Sequence, residues 1–258
     1  MAFPFRQDPI GDWNVVDEQE ELYDSDPGEE LEDDGLEEES EDELEELTID
    51  EAKTTLCEAL DGIEAAGDFA TFGTFKQAID PRLVVDGLGP LQLPLTEGDA
   101  RRIIAKSHQA PFGHGTRTIV DQAVRRTWEL NANEFYITNP AFWQAQQEAV
   151  RAVCKGLGLE ANQRIAPQLY KLLLYEKGAL FKPHTDTEKV PGMFATLVIC
   201  LPSAHEGGDL ILSHNGSVVR YSFSQSQPAF GAWYSDVTHE VKEVTAGYRL
   251  VLTYNLVQ

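Results

Sequence analysis

Two histidines and one aspartate stand where a metal ion could use them. The segment Tyr175-Glu-Lys-Gly-Ala-Leu-Phe-Lys-Pro-His184-Thr-Asp186 ends in His-x-Asp. Residues two apart in an extended chain point to the same side, so His184 and Asp186 can grip one ion from a single strand or its edge. A third ligand must come from elsewhere. His239, in Asp236-Val-Thr-His-Glu-Val, falls at the start of a later expected strand. Ten positions on, Arg249 opens the last expected strand. A buried guanidinium needs an anion, and its fork matches a carboxylate with two parallel hydrogen bonds. The plain alternative is an arginine at a strand edge, facing solvent.

Two imidazoles and one carboxylate leave coordination positions open, an arrangement used by non-haem Fe(II) oxygenases. His-x-Asp alone is a weak signal, because it recurs by chance. The other histidines, His108, His114, His205 and His214, are read as surface or hydrogen-bonded residues. Cys57, Cys154 and Cys200 are too widely spaced for a thiolate zinc site. Their odd number argues against a disulfide framework and for a reducing compartment.

The elements that would position these residues fall into two halves. From Leu169 onward the chain reads LYKLLLYE, MFATLVICL, DLILSH, SVVRYSF, AFGAWYS, HEVKEV and YRLVLTYNL, separated by Gly, Pro and Ser. Many short strands at regular spacing predict a sandwich or barrel. The half before it reads mostly helical. Thr48 and Glu51 form a capping-box pattern ahead of Ile49, Ala52, Leu56, Leu60 and Ile63 at helical spacing, with Gly67 as a stop. Thr96 is a candidate cap for a helix through Ala105. Asn139-Pro140 reads as a cap with proline at the first helical position. It precedes an apolar stripe of Phe142, Ala149, Val150, Val153 and Leu157 that Gly156 or Gly158 would end. These helices are expected to cover one outer face of the barrel.

Charge divides the chain differently. Of 44 acidic residues, 23 lie in the first 52 positions beside a single base, Arg6; the remaining 21 acids face 19 bases. Residues 1–52 are therefore expected to be a disordered acidic tail, since such a segment buries too little surface to offset its ordering entropy. It is a solvating tail or an interaction tail for a basic partner. Residues 53–258 suffice for one well-cored domain, with 53–165 as mostly helical support and 166–258 as the β core. No signal-peptide pattern or membrane-length apolar run is seen, which predicts an intracellular protein, cytoplasmic or nuclear. The chain stops at Gln258, just after the last expected strand, as expected of a fragment of a longer protein or of a domain lacking a C-terminal covering element.

With these residues in view, the second half resembles the 2-oxoglutarate- and Fe(II)-dependent dioxygenases, and within them the prolyl 4-hydroxylase-like branch. The resemblance runs through Tyr175, Gly178, His184-x-Asp186, Ala195-Thr196, Gly207-Gly208-x-Leu210, His239-Glu240-Val241 and Arg249, over residues 168–256. The phrases APFGHGTRTIVD, VRRTWEL, DTEKVPGMF and WYSDVTHEV are similar to uncharacterised fungal-type members. The resemblance implies a double-stranded β-helix (jelly-roll) core, mainly β with α. It implies Fe(II) on His184, Asp186 and His239, with 2-oxoglutarate chelating the iron and its far carboxylate on Arg249. O2 completes the set, and ascorbate is a further candidate. The implied reaction hydroxylates a substrate and releases succinate and CO2. One departure matters. Cys200 stands where the branch often has a tyrosine for the far carboxylate, which leaves Thr196, Tyr175 or Tyr170 as candidates for that contact.

Three other readings compete. A metal-dependent hydrolase or isomerase on a similar barrel has no use for an arginine placed for a dicarboxylate. A jelly-roll scaffold with little or no turnover, its acidic tail recruiting a partner, would not need the intact triad. A nucleic-acid-repair dioxygenase would want a broad basic stripe. Here Arg101, Arg102, Arg125 and Arg126 form two small clusters, read as solvated helix faces. The expected substrate is a protein side chain or a small molecule.

Overall fold

The computed structural model describes residues 48–61, 66–77, 80–114, 117–160, 163–223 and 228–258. The expected acidic tail, up to Leu47, lies outside the described residues.

Helix α1 (Ile49–Asp61) starts on the expected box: the Thr48 backbone N–H donates to Glu51 Oε2 at 2.9 Å, and the Glu51 N–H donates back to Thr48 Oγ1 at 3.3 Å. Its first residues thus belong to a helix rather than to the tail. Its apolar stripe is exposed at Ile49, Leu56 and Leu60. The caps and the interleaved Asp50, Glu51, Lys53 and Glu58 keep it helical without burial.

Beyond α1 come β1 (Ala70–Thr74), β2 (Leu83–Val85), β3 (Gly89–Pro90), α2 (Glu97–Lys106), β4 (His108–Gln109), β5 (Phe112–His114), β6 (Arg117–Ile119), β7 (Trp128–Asn131), β8 (Phe135–Ile137) and α3 (Pro140–Gly156). The remaining strands are β9 (Ala166–Tyr175), β10 (Phe181–His184), β11 (Met193–Cys200), β12 (His205–Gly207), β13 (Leu210–His214), β14 (Ser217–Tyr221), β15 (Ala229–Tyr234), β16 (Thr238–Val241), β17 (Val244–Gly247) and β18 (Arg249–Val257). α2 is capped by Thr96, whose hydroxyl accepts from the Asp99 N–H. α3 is capped by Asn139 with proline at its start. Both caps satisfy N–H groups that a helix leaves unpaired at its first turn.

Two antiparallel sheets carry the domain. The larger has the order β1-β15-β11-β18-β9-β7-β4, the smaller β10-β16-β13-β14. This is the mainly β architecture the strand spacing predicts, and it is consistent with the jelly-roll core the resemblance implies. The first half departs from the mostly helical expectation, because β1, β4 and β7 extend the larger sheet. Their runs are only two to five residues long and sit between turns, too short for a helical period to declare itself.

Alternation along the central strands splits the core into two layers. Leu172, Leu174, Leu197, Ile199, Leu250, Leu252, Tyr254 and Leu256 face the helices and join Ile103, Phe142, Val150 and Val153 in one buried cluster. Each fully buried large side chain contributes roughly 1.5–3 kcal/mol, so this layer anchors the sheet. The opposite face carries Leu173, Tyr175, Val198, Cys200, Trp233 and Val251 in a second cluster with Phe181, Leu210, Leu212 and Val241 of the smaller sheet. The two faces explain why β18 is buried at every position, Arg249 included.

Candidate metal centre and its cavity

Register brings the distant ligands together. β10 pairs antiparallel with β16, and His184 lies directly opposite His239. Asp186 follows β10 by two residues, its N–H donating to the Ser235 carbonyl at 3.1 Å. The metal-binding atoms of His184, Asp186 and His239 all lie within 4.8 Å of one another, with His239 Nε2 3.7 Å from Asp186 Oδ2. Metal–ligand bonds of ~2.0–2.2 Å set ligand atoms at most about 4.4 Å apart, so little movement is needed to close on an ion.

The donor set also has the right tautomers. His184 Nδ1 is 2.8 Å from the Lys182 carbonyl, and His239 Nδ1 is 3.0 Å from that of Val237. A carbonyl only accepts, so each Nδ1 carries the hydrogen and each Nε2 presents its lone pair to the shared point. Burial, followed by the neighbouring His239, pushes the His184 pKa down to about 3, which keeps the ring neutral and able to ligate. Phe181 stacks on His184 with ring centroids 3.5 Å apart, and Trp233 lies 4.7 Å from His239. Thr196 Oγ1 donates to Asp186 Oδ2 at 2.6 Å, fixing the carboxylate rotamer. These features fit Fe(II) on an imidazole–carboxylate face with positions left open.

Arg249 sits opposite Tyr175 on the same face of the larger sheet. It is only 2 % exposed, and no ion pair to it occurs among the described residues. Its Nε has no hydrogen-bond partner there either. Its guanidinium lies over the ring of Tyr175, 5.1 Å from the centroid, and over that of Phe223, at 4.9 Å. Burial pushes the Cys200 thiol pKa up, with the Arg249 charge pulling the other way. The Gly207-Gly208 turn makes the room. Both glycines have φ of +72°, and a Cβ on Gly208 would lie 3.2 Å from Arg249 Cδ. A buried cation with an N–H unpartnered among the described residues and two aromatic rings beside it fits an incoming carboxylate.

The triad, Arg249, Thr196, Tyr175 and Tyr170 all line one cavity of about 950 Å³. Thr196 is engaged with Asp186 and Tyr175 flanks Arg249. Of the histidines set aside, His108 bonds Glu129 at 3.1 Å, His205 Nδ1 is 2.8 Å from the Ser203 carbonyl, and His214 faces the Phe69 ring. The His114 side chain lies outside the described residues. All three cysteines are free.

One expectation fails. Arg101 and Arg102 do lie on helix α2, paired with Glu97 and Asp99, but Arg125 is on no helix and is not solvated. A bridge to Phe181 folds it inward, and it lines the cavity beside Glu129 and Lys171. Only its place in the phrase VRRTWEL hinted at this; the pairing with β10 that turns it inward has no local sequence signal.

Residues 170–257 match the family model described as the 2OG-Fe(II) oxygenase superfamily. That segment, from β9 to the end of β18, thus matches a class of oxidoreductases that use Fe(II), 2-oxoglutarate and O2. Solved structures similar to it include a prolyl-4-hydroxylase from Pseudomonas putida, 17 % identical over 74 % of this chain and 92 % of that one, TM-score 0.45. AviO1 from Streptomyces viridochromogenes is 15 % identical over 75 % and 91 %, TM-score 0.45. A Trichoplax adhaerens prolyl hydroxylase in complex with a peptide fragment of hypoxia inducible factor is 16 % identical over 67 % and 82 %, TM-score 0.40. No curated protein matches the chain. No helix among the described residues is long and apolar enough to cross a membrane.

Proposed function

We propose that the protein is a hydroxylase acting on a protein side chain or small molecule, with release of succinate and CO2. His184, Asp186 and His239 would hold Fe(II), and Arg249 would hold the far carboxylate of 2-oxoglutarate. The observation that carries this reading is the buried Arg249, without an ion pair among the described residues, in the same cavity as the triad; a hydrolytic metal site has no use for it. When bound, the metal and cosubstrate supply the oxidation, coupling decarboxylation to insertion of one oxygen atom into a C–H bond.

The chain's own residues do the rest. Lys182 and Val237 carbonyls hold the two imidazoles in the ligating tautomer. Thr196 holds Asp186. Tyr175 and Phe223 keep the Arg249 guanidinium in place and water away from it, which strengthens its pull on a carboxylate. Cys200 stands where the family's tyrosine would add a second contact, so Arg249 and the Tyr175 ring would carry that end. The acidic segment before α1 is proposed to serve a basic partner rather than the chemistry. The test is formation of succinate from 2-oxoglutarate by the purified chain with Fe(II) and O2. Succinate that requires both and is lost in Arg249→Ala supports the reading; metal binding with no succinate under any substrate mixture points to a scaffold.

A further inference from the structure

A second cationic group faces the same cavity and has no part in holding iron or the far carboxylate on Arg249. Glu129, 2 % exposed, is a hub on β7. Lys171 Nζ reaches its Oε1 at 2.5 Å and Asn131 Oδ1 at 2.8 Å. His108 Nε2 is 3.1 Å from the same Oε1. Arg125 comes within 3.6 Å of Oε2 through Nη2, donates through Nη1 to the Pro111 carbonyl, and lies over the Phe181 ring at 4.6 Å. Its Nε has no hydrogen-bond partner among the described residues. Phe181 is the residue that stacks on the candidate ligand His184, so Arg125 stands one ring from the metal centre.

Charge counting makes this cluster informative. One carboxylate faces two permanent cations, and no other ion pair to Arg125 or Lys171 occurs among the described residues. One positive charge is left over on a cavity wall where Arg125 and Lys171 are only 13 % and 14 % exposed. Within the reading above, the rest of the cavity balances: Fe(II), Arg249 and Lys189 against Asp186, Asp121 and the two carboxylates of 2-oxoglutarate. The surplus at Arg125 is then free for whatever else enters. Lys171 is spent on Glu129 and Asn131, at 2.5 and 2.8 Å, whereas Arg125 meets Glu129 only at 3.6 Å and lines the cavity. Phe112, which follows the Pro111 bound by Arg125 and pairs with Ile119, lines the cavity with Ile119 and Val124, so apolar surface adjoins the cation.

We propose that Arg125 is the anion-binding end of the substrate site and that the substrate carries a carboxylate, seated on Arg125 with an apolar body against Phe112 and Ile119. Lys171 and Glu129 are positioning residues that set how much of the Arg125 charge is available. The proposal rests on the oxygenase reading, and the experiment separates the two. Mn(II) is placed in the protein with 2-oxoglutarate, and proton relaxation of matched N-acetyl amino acids and N-acetyl amino acid amides is measured. Enhanced relaxation reports binding near the metal without turnover.

At least one carboxylate should bind more tightly than its amide by roughly ten- to a hundredfold, the worth of a charged hydrogen-bonded contact. Arg125→Met should erase that preference while leaving Mn(II) and 2-oxoglutarate affinities unchanged. Glu129→Gln should strengthen carboxylate binding, an outcome that mere loss of structure would not give. Amides binding as well as acids, no acid binding at all to the loaded protein, or a preference that survives in Arg125→Met would each overturn the proposal. So would a 2-oxoglutarate affinity that falls with Arg125→Met, since that would assign Arg125 to the cosubstrate. Failure of the parent protein to bind Mn(II) or 2-oxoglutarate would instead sink the reading beneath it.

Discussion

Replacing Thr196 by valine removes one hydroxyl and almost nothing else. That hydroxyl donates to Asp186 Oδ2 at 2.6 Å from a side chain facing the cavity. A hydrogen bond to a charged group contributes about 1.5–3 kcal/mol, and partners of metal ligands are worth ~10–100-fold in metal affinity. The bond already exists without metal, so only its orienting part is realised on binding. The expected loss of affinity is therefore at the low end, roughly tenfold. Anaerobic calorimetry with Fe(II), or titration of the visible bands of Co(II), would read it. At saturating metal the 2-oxoglutarate affinity should be unchanged, because the hydroxyl is committed to Asp186. A variant with parent-like metal affinity but weakened 2-oxoglutarate binding would refute this reasoning. It would return Thr196 to the cosubstrate contact that the sequence alone suggests.

Arg249→Ala should weaken 2-oxoglutarate by a hundredfold or more while metal affinity holds, since stripping one partner from a buried pair costs about 3–5 kcal/mol; Arg249→Lys should recover part of it, and calorimetry at saturating metal checks both. The metal-free domain should lose stability as pH falls from about 6.5 toward about 3. His184 stays neutral when folded and takes up a proton when unfolded over that window, so the unfolded state binds more protons. Denaturant melts across this range should show a shallower slope for His184→Gln. Deleting residues 1–47 should leave succinate formation and the melting temperature of the domain unchanged, because that segment has no core-forming pattern; a large drop in melting temperature would show that it packs.

Much of this site could be read from residue order because its parts announce themselves locally. His184 and Asp186 share a short extended segment, and the runs around Leu172, Leu197 and Leu252 are long enough to show their period. The caps Thr48, Thr96 and Asn139 needed only neighbours three or fewer positions away. What could not be read depends on contacts far apart in sequence. The segment expected to run as one strand from His239 to Val244 divides into β16 and β17, which pair with different partners. Thr196 looks available to a cosubstrate until the fold brings Asp186 to its hydroxyl. Arg125 reads as part of a solvated helix face, yet β7 supplies Glu129, β9 supplies Lys171 and β10 supplies Phe181 to build a buried cluster around it. The stripe of α1 carries a helical period whether or not anything covers it.

The central claim is that His184, Asp186 and His239 bind Fe(II) in a form that accepts 2-oxoglutarate. Adding 2-oxoglutarate to the anaerobic Fe(II) protein and recording the visible spectrum tests it most directly. The account predicts a weak charge-transfer band that saturates with 2-oxoglutarate and is missing from His239→Ala, whose far-ultraviolet circular dichroism remains that of the parent. A parent protein that binds Fe(II) yet shows no band, or a band that persists in folded His239→Ala, would contradict it.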